Sequence, residues 1–153
     1  MERDGVVERW YPFIDPVEDM LRGRESRLRC GSGYANYTIL PNGLLSPCPI
    51  MVGMADYYLG TLTSADPCHL SEIRVPGPCT TCDIFGFCGG RCLYSAIMEP
   101  WPPEGRDLVC GTVRALHTSL TGALPRIRHL IDTGVVSLER FAHEKYNGCE
   151  IIP

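Results

Sequence analysis

The sequence predicts a small α+β protein, in which an irregular cysteine-rich module with one β-hairpin is followed by a C-terminal helical tail. Three observations predict this class. Eight of the nine cysteines lie between positions 30 and 110. Asn42-Gly43 stands between two β-prone runs, and both residues tolerate the positive φ of a tight hairpin turn. Apolar residues recur at helical spacing from Val109 to Ile131.

The cysteine-rich stretch is also rich in residues that form turns. It holds 10 of the 16 glycines and 9 of the 13 prolines, so it has a thin supply of apolar core. Segments of this kind usually need covalent or metal staples to hold one fold. We therefore expect three regions: an N-terminal lead at 1–29, a stapled module at 30–110 and a C-terminal helical extension at 111–153.

Local signals predict the helices at either end of the chain. Asp15 can cap a short helix in the lead, and Glu18, three residues later, completes a capping box. This helix should stop near Gly23. In the tail, Pro125 should kink or break the long helix, because proline removes a backbone hydrogen bond. Gly134 should then end it.

The hairpin of the module is predicted in the same way. Residues 37–40 form the first strand, Asn42-Gly43 form the turn, and residues 44–46 form the second strand. The two strands run antiparallel, so their outer ends lie side by side. Cys30 and Cys48 should therefore lie near the open end of the hairpin.

Composition narrows the functional classes. With 14 Lys and Arg against 18 Asp and Glu, the net charge is −4, which does not favour a nucleic-acid surface. No apolar run reaches the ~18–20 residues that cross a bilayer, so no membrane association is expected. The first residues lack the apolar stretch of a secretory signal. An odd number of cysteines without an export signal indicates a cytoplasmic, reducing compartment and metal-bound thiolates.

The densest cysteine motif is Cys79-x2-Cys82-x5-Cys88-x3-Cys92. Glycines between these cysteines allow tight turns and let backbone N–H groups approach the sulfurs. Four cysteines in one loop, with others before and after, exceed what a single tetrahedral metal site can use. The motif therefore predicts more than one metal centre, or one centre of several metal atoms.

The spacing of all these cysteines resembles a known signature. The full pattern reads Cys30-x12-Gly43-x4-Cys48, a gap, the Cys79–Cys92 motif, a second gap and Cys110. This pattern is similar to the seven-cysteine signature of the SPASM domain, the C-terminal auxiliary iron–sulfur module of radical SAM enzymes that modify peptides and proteins. The stretches around 30–39, 48–54, 88–94 and 147–153 resemble an archaeal-type subfamily of such enzymes.

The resemblance implies two 4Fe-4S clusters. It assigns Cys30, Cys48 and Cys92 to the first auxiliary cluster. It assigns four further ligands to the second auxiliary cluster, namely Cys79, Cys82, Cys88 and Cys110. Some relatives have one more cysteine before the first, which this sequence lacks. The fourth position of the first cluster could thus be filled by Cys68 or by Cys149, or stay open for a substrate or water.

Radical SAM chemistry requires a Cys-x3-Cys-x2-Cys loop that binds S-adenosylmethionine through a further cluster. Cys88-x3-Cys92 begins such a spacing, but Ser95 stands at the third position. The resemblance therefore implies that S-adenosylmethionine enters only through a radical SAM barrel domain of the same parent protein or of a split partner, and that a peptide is the substrate. Residues 1–29 would be a remnant of that barrel or a linker from it, and the chain a C-terminal portion that is inactive alone.

Other interpretations of these residues stay open. The cysteines could form a zinc-stapled interaction domain, or the chain could be a stand-alone, ferredoxin-like electron carrier. Cys68 and Cys149 could be free thiols that pack as small apolar side chains. Arg91 could screen the negative charge of a cluster. The catalytic residues are unknown, and Asp56, Asp83 and the tyrosines are acid–base candidates only by their proximity in the sequence.

Overall fold

A computed structural model describes residues 2–3, 6–10 and 13–142. Its strands and α-helices are, in chain order, β1 (Glu2–Arg3), β2 (Val6–Val7), α1 (Ile14–Arg22), β3 (Thr38–Ile39), β4 (Leu45–Ser46), α2 (Phe85–Cys88), α3 (Leu93–Met98) and α4 (Pro103–Asp132). Short 3-10 helices cover Pro49–Met51, Ala55–Tyr57, Cys79–Thr81 and Leu138–Phe141. Two small antiparallel sheets, β1 with β2 and β3 with β4, complete the structure. The predicted α+β class is confirmed.

The membrane question has a direct structural answer. In the part of the chain that the structure describes, no helix combines the length and the apolar character needed to cross a bilayer.

Helix α1 forms where the sequence predicted it, and Gly23 ends it with a φ of +63°. The prediction that Asp15 caps this helix is wrong. Phe13 precedes the first turn and makes no side-chain cap. Asp15 lies inside the first turn, is only 2% exposed, and accepts a hydrogen bond from Arg29. The guanidinium gives this carboxylate a charge-assisted hydrogen bond, which is stronger than a bond from a neutral backbone N–H of a helix end.

The predicted hairpin is confirmed as β3 and β4, with Ile39 paired to Leu45, and Gly43 in the turn has a φ of +81°. Hydrogen bonds at its open end join the segment that carries Cys30 to the segment that carries Cys48. The side-chain amide of Asn36 donates to the carbonyl of Cys30 at 2.6 Å. The N–H of Gly33 donates to the carbonyl of Pro47, the residue before Cys48, at 3.1 Å.

Helix α4 is 30 residues long and begins with Pro103, whose missing N–H costs nothing in the first turn. It continues through Pro125, so the break considered from the sequence does not occur. Pro125 is exposed, while Leu124, the residue before it, and Leu120, one turn earlier, are buried. The helix ends before Gly134, as predicted, and runs across the expected module boundary after residue 110.

Two apolar cores lie on either side of the cysteine loop. The first core is built mainly from α1, α4 and the segment that follows α4, and its buried members are Ile14, Val17, Phe87, Val113, Leu120, Val136 and Phe141. The second core lies within the module except for Leu28 of the lead, and its buried members are Leu28, Cys48, Met51, Val75 and Leu93. Cys88 packs against the first core and Cys79 against the second.

Candidate metal centre

The loop from Cys79 to Cys92 turns sharply at two glycines. Gly89 has a φ of +65° and Gly90 a φ of +87°. A Cβ at Gly89 would overlap the backbone carbonyl of Arg27, and a Cβ at Gly90 would lie 2.7 Å from a methyl of Val75. Glycine therefore satisfies both the backbone conformation and the close packing. The turn lets Cys88, at the end of α2, and Cys92, before α3, face the same space.

Helix α4 supplies the last residue of the predicted signature. Arg106, Cys110 and Arg114 follow one another at four-residue intervals and therefore lie on one face of the helix. Val113 on the same side is only 1% exposed and anchors this face in the first core. The helix thus presents Cys110 to the loop that carries the other cysteines.

Five of the seven signature cysteines line one cavity of about 120 Å³. They are Cys79, Cys82, Cys88, Cys92 and Cys110. Among the other side chains that line the cavity, the large apolar ones are Ile84, Phe85, Trp101, Val109 and Val113. One water molecule needs only about 10–15 Å³ of such a volume. The space is therefore large enough for a group of several atoms.

The remaining two signature cysteines, Cys30 and Cys48, lie in the neighbouring second core. Cys48 is a buried member of it, and Cys30 packs against it. The sulfur of Cys30 lies 3.1 Å from the hydroxyl of Ser32. Cys92 stands between the two groups, since its side chain lines the cavity while the next residue, Leu93, is fully buried beside Cys48 in the second core.

The two extra cysteines differ from the signature set. Cys68 is exposed, and its N–H donates to the carboxylate of Asp66 at 2.9 Å. Among the described residues, Cys68 belongs to neither apolar core. Cys149 lies outside the described residues.

The cavity and the donor set fit an iron–sulfur cluster. Within residues 2–3, 6–10 and 13–142, no three His, Cys, Asp or Glu side chains converge on the position of a single metal ion. Zinc would bond every thiolate from one point at about 2.3 Å, whereas each thiolate ligand of a 4Fe-4S cluster bonds a different iron atom. Five thiols that line one cavity are a donor set that such a cluster can use.

The thiols influence one another electrostatically. Burial, above all, raises the pKa of Cys79 above its ordinary value, and the neighbouring Cys110 and Cys82 raise it further. The pKa of Cys88 is also raised, chiefly by burial and then by Cys79, Cys110 and Cys82. The four cysteines assigned to the second cluster are thus close enough to interact. A metal that bound them would have to displace their protons.

Three arginines line the same cavity. The guanidinium carbon of Arg91 lies 5.6 Å from the ring centre of Trp101. Arg106 donates to Glu99 at 3.0 Å, and the third arginine is Arg114. Thiolate ligands carry negative charge, so these cations would compensate it. From the sequence, only Arg91 was considered as a residue that screens cluster charge. Arg106 and Arg114 could have been found from their four-residue spacing on either side of Cys110.

Arg114 makes the most direct contact with a predicted ligand. Its Nη2 donates to the sulfur of Cys82 at 3.3 Å, and its two terminal nitrogens donate to the two carboxylate oxygens of Asp83 at 2.9 and 2.6 Å. These hydrogen bonds hold the pKa of Asp83 well below its usual range. Asp83 therefore stays ionised as the partner of Arg114. Asp56, the other acid–base candidate, is exposed in the 3-10 helix Ala55–Tyr57.

Comparison with protein-family models, with curated proteins and with solved structures finds no match to this chain. The likeness to SPASM domains therefore stays a prediction from the cysteine spacing.

Proposed function

We propose that this chain binds two 4Fe-4S clusters and is the auxiliary-cluster module of a radical SAM enzyme that modifies a peptide or protein. One observation carries the proposal. Cys79, Cys82 and Cys88 from the loop and Cys110 from α4 line a single cavity, and they are the four residues that the signature assigns to one cluster. The complete seven-cysteine spacing supports it independently.

Each group of residues has a role in this proposal. Cys79, Cys82, Cys88 and Cys110 hold the second cluster; the other three signature cysteines, Cys30, Cys48 and Cys92, hold the first. The fourth position of the first cluster is filled by Cys68 or Cys149 or is open to substrate. When bound, the clusters supply one-electron transfer. The apolar walls partly cover the sulfurs, and the arginines offset the negative charge.

The radical reaction itself requires a partner. No Cys-x3-Cys-x2-Cys loop occurs in these 153 residues. A radical SAM barrel, in the same parent protein or in a split partner, would bind S-adenosylmethionine, and this module would help to shape the peptide site and accept or relay an electron. We infer a cytoplasmic location, because seven cysteines that act as thiolate ligands need a reducing compartment.

Metal and sulfide analysis tests this proposal. The full chain would be purified without oxygen and assayed for iron, acid-labile sulfide and zinc. We expect about eight irons per chain with matching sulfide. Stoichiometric zinc without sulfide would overturn the proposal and would support the zinc-stapled interaction domain instead.

A stand-alone electron carrier is the second candidate. It also binds clusters, so metal content cannot distinguish it. Reversible electron exchange by the isolated chain, together with a genomic neighbourhood that lacks a frame encoding Cys-x3-Cys-x2-Cys, would support the carrier. Such a frame directly upstream would support the auxiliary module.

A further inference from the structure

The contact between Arg114 and Cys82 differs from those of the other arginines at the cavity. Arg114 points a guanidinium N–H at the sulfur itself, at 3.3 Å, while Arg106 donates to the carboxylate of Glu99. Both arginines lie one turn from Cys110 on the same helix face. The two residues therefore bring equal charge to the wall of the cavity, but only Arg114 has a hydrogen bond to a predicted ligand among the contacts of the described residues.

Two features hold the guanidinium of Arg114 in this position. Asp83, the residue after Cys82, accepts from both of its terminal nitrogens and so fixes the plane of the group. Helix α4 fixes its base, because the next residue toward the N-terminus, Val113, is buried in the first core. The donor is therefore oriented before any cluster is bound.

The thiol of Cys82 also lies 3.5 Å from Asp83 Oδ1 as a donor, and metal binding would remove that proton and leave the guanidinium of Arg114 as the donor that faces the sulfur. A metal-bound cysteine is a thiolate, which has no proton and can only accept hydrogen bonds. Arg114 Nη2 is then a charged donor to a ligand sulfur. Hydrogen bonds and positive charge at the sulfurs stabilise the more negative, reduced form of an iron–sulfur cluster and so raise its reduction potential.

We propose that Arg114 is a positioning residue that raises the reduction potential of the cluster held by Cys79, Cys82, Cys88 and Cys110 through its hydrogen bond to the sulfur of Cys82. This inference rests on the proposed function. In the reaction concerned, the oxidised cluster takes up one electron from an external reductant such as dithionite, and no bond forms or breaks. Arg114 thereby makes this cluster easier to reduce than it would be without the hydrogen bond.

Three variants separate the hydrogen bond from simple charge. Arg114→Gln removes the positive charge and withdraws the donor from the sulfur, because the amide nitrogen of glutamine ends two atoms short of the guanidinium Nη2. Arg106→Gln removes an equal charge from the same cavity wall without touching the bond to Cys82. Asp83→Asn combined with Arg114→Gln keeps the summed charge of the pair at zero, while it removes the guanidinium donor to Cys82 and the carboxylate that lies 3.5 Å from the same sulfur.

The experiment is an anaerobic redox titration of the full chain followed by electron paramagnetic resonance. We expect Arg114→Gln to shift one of the two reduction steps to a lower potential, by more than Arg106→Gln does. The double variant should lie between Arg114→Gln and the unsubstituted chain. Equal shifts in the two single variants, or full recovery in the double variant, would overturn the inference.

Two further controls keep the result decisive. If Arg114→Gln fails to retain its cluster, Asp83→Asn alone is compared with the double variant instead. These two proteins also differ only at position 114, so equal reduction potentials in them would overturn the inference. Iron and sulfide are measured first in the unsubstituted chain. If iron and sulfide are absent, the proposed function is overturned. If the chain holds its clusters but substitution of Arg114 leaves the reduction potential unchanged, only the present inference is overturned.

Discussion

Arg29 donates a hydrogen bond from Nη2 to the backbone carbonyl of Phe87 at 2.7 Å, and both residues are buried. Arg29 directly precedes Cys30, and Phe87 directly precedes Cys88. The bond therefore joins the backbone beside one predicted ligand set to the backbone beside the other. The same guanidinium pairs with Asp15 of α1, so a single buried side chain links the lead to both cysteine segments.

Replacing this arginine should destabilise the whole module. Arg29→Met keeps much of the side-chain volume but leaves the carboxylate of Asp15 buried without its cation. Removing one partner of a buried ion pair typically costs about 3–5 kcal/mol. We expect the free energy of unfolding to fall by about 3 kcal/mol or more, measured by denaturant titration of the metal-loaded chain.

The matched control is the arginine two positions earlier. Arg27 is exposed and forms a salt bridge at 2.7 Å with Glu72, which is also exposed. Exposed pairs of this kind contribute little, because water already solvates both charges. Arg27→Met should therefore have only a small effect. Unfolding of the Arg29 and Arg27 variants at the same denaturant concentration would contradict the prediction.

Gly89 is the position in the cysteine loop that should tolerate a side chain least. Its φ of +65° disfavours any L-residue, and a Cβ would overlap the carbonyl of Arg27. Left-handed backbone costs about 1–2 kcal/mol for a residue with a Cβ, and the steric overlap adds to it. We expect Gly89→Ala to lower the free energy of unfolding by about 2 kcal/mol or more and to reduce the iron content.

Gly122 gives the opposite expectation for the same substitution. It lies exposed in the middle of α4, and a Cβ there would have no neighbour within 4 Å. Alanine is the better helix former by about 0.5–1 kcal/mol. Gly122→Ala should thus stabilise the chain slightly and leave its iron content unchanged. Equal loss of iron in both variants would refute the role given to Gly89.

Local signals predicted the elements whose ends depend on a single residue. Asn42-Gly43 predicted the hairpin, Gly23 the end of α1 and Gly134 the end of α4, because the glycine at each place adopts a positive φ that other residues avoid. Such signals depend only on residues that are close together in the sequence, so they can be recognised without knowledge of the tertiary contacts. The positions of these elements were therefore predictable.

Long-range pairings were not predictable in this way. Asp15 was expected to cap its own helix, because no local signal indicates that Arg29 will be buried against it. The bond from Arg114 to Cys82 depends on how α4 packs against the loop. Cys110 is the exception, since the spacing of the whole signature predicted that it would join the loop cysteines.

Removing Cys110 should empty one centre and spare the other. Cys110→Ala takes away the only signature ligand that comes from α4, so the cluster shared with Cys79, Cys82 and Cys88 should be lost. We expect iron to fall from about eight to about four per chain, with sulfide falling in parallel. Iron that stays at its original level would show that Cys110 is not a ligand.

Cys68→Ala extends the same assay to the fourth position of the first cluster. Cys68 is exposed in a loop, and its N–H is bound to Asp66. A side chain that points to solvent gains little from packing, so its removal should change neither stability nor iron content. Loss of iron in this variant would contradict that expectation and would identify Cys68 as the missing ligand.

Metal removal should unfold most of residues 30–110. The sheet inside this region has strands of only two residues each, and its own apolar core includes the predicted ligand Cys48, with Cys30 and Cys79 packed against it. Without metal, these thiols lose the bonds that would tie the loops together, and site formation and folding are coupled in small metal-bound modules.

Nitrogen–proton correlation spectra recorded before and after anaerobic chelation would measure this loss. We expect the amide signals of 30–110 to collapse toward random-coil positions. Signals from α1 and from the later part of α4 should persist longer, because Val17 and Leu120 belong to the first core, which draws most of its members from outside the module. Amide dispersion retained throughout 30–110 in the metal-free chain would mean that apolar packing alone holds the module, contrary to what its composition implies.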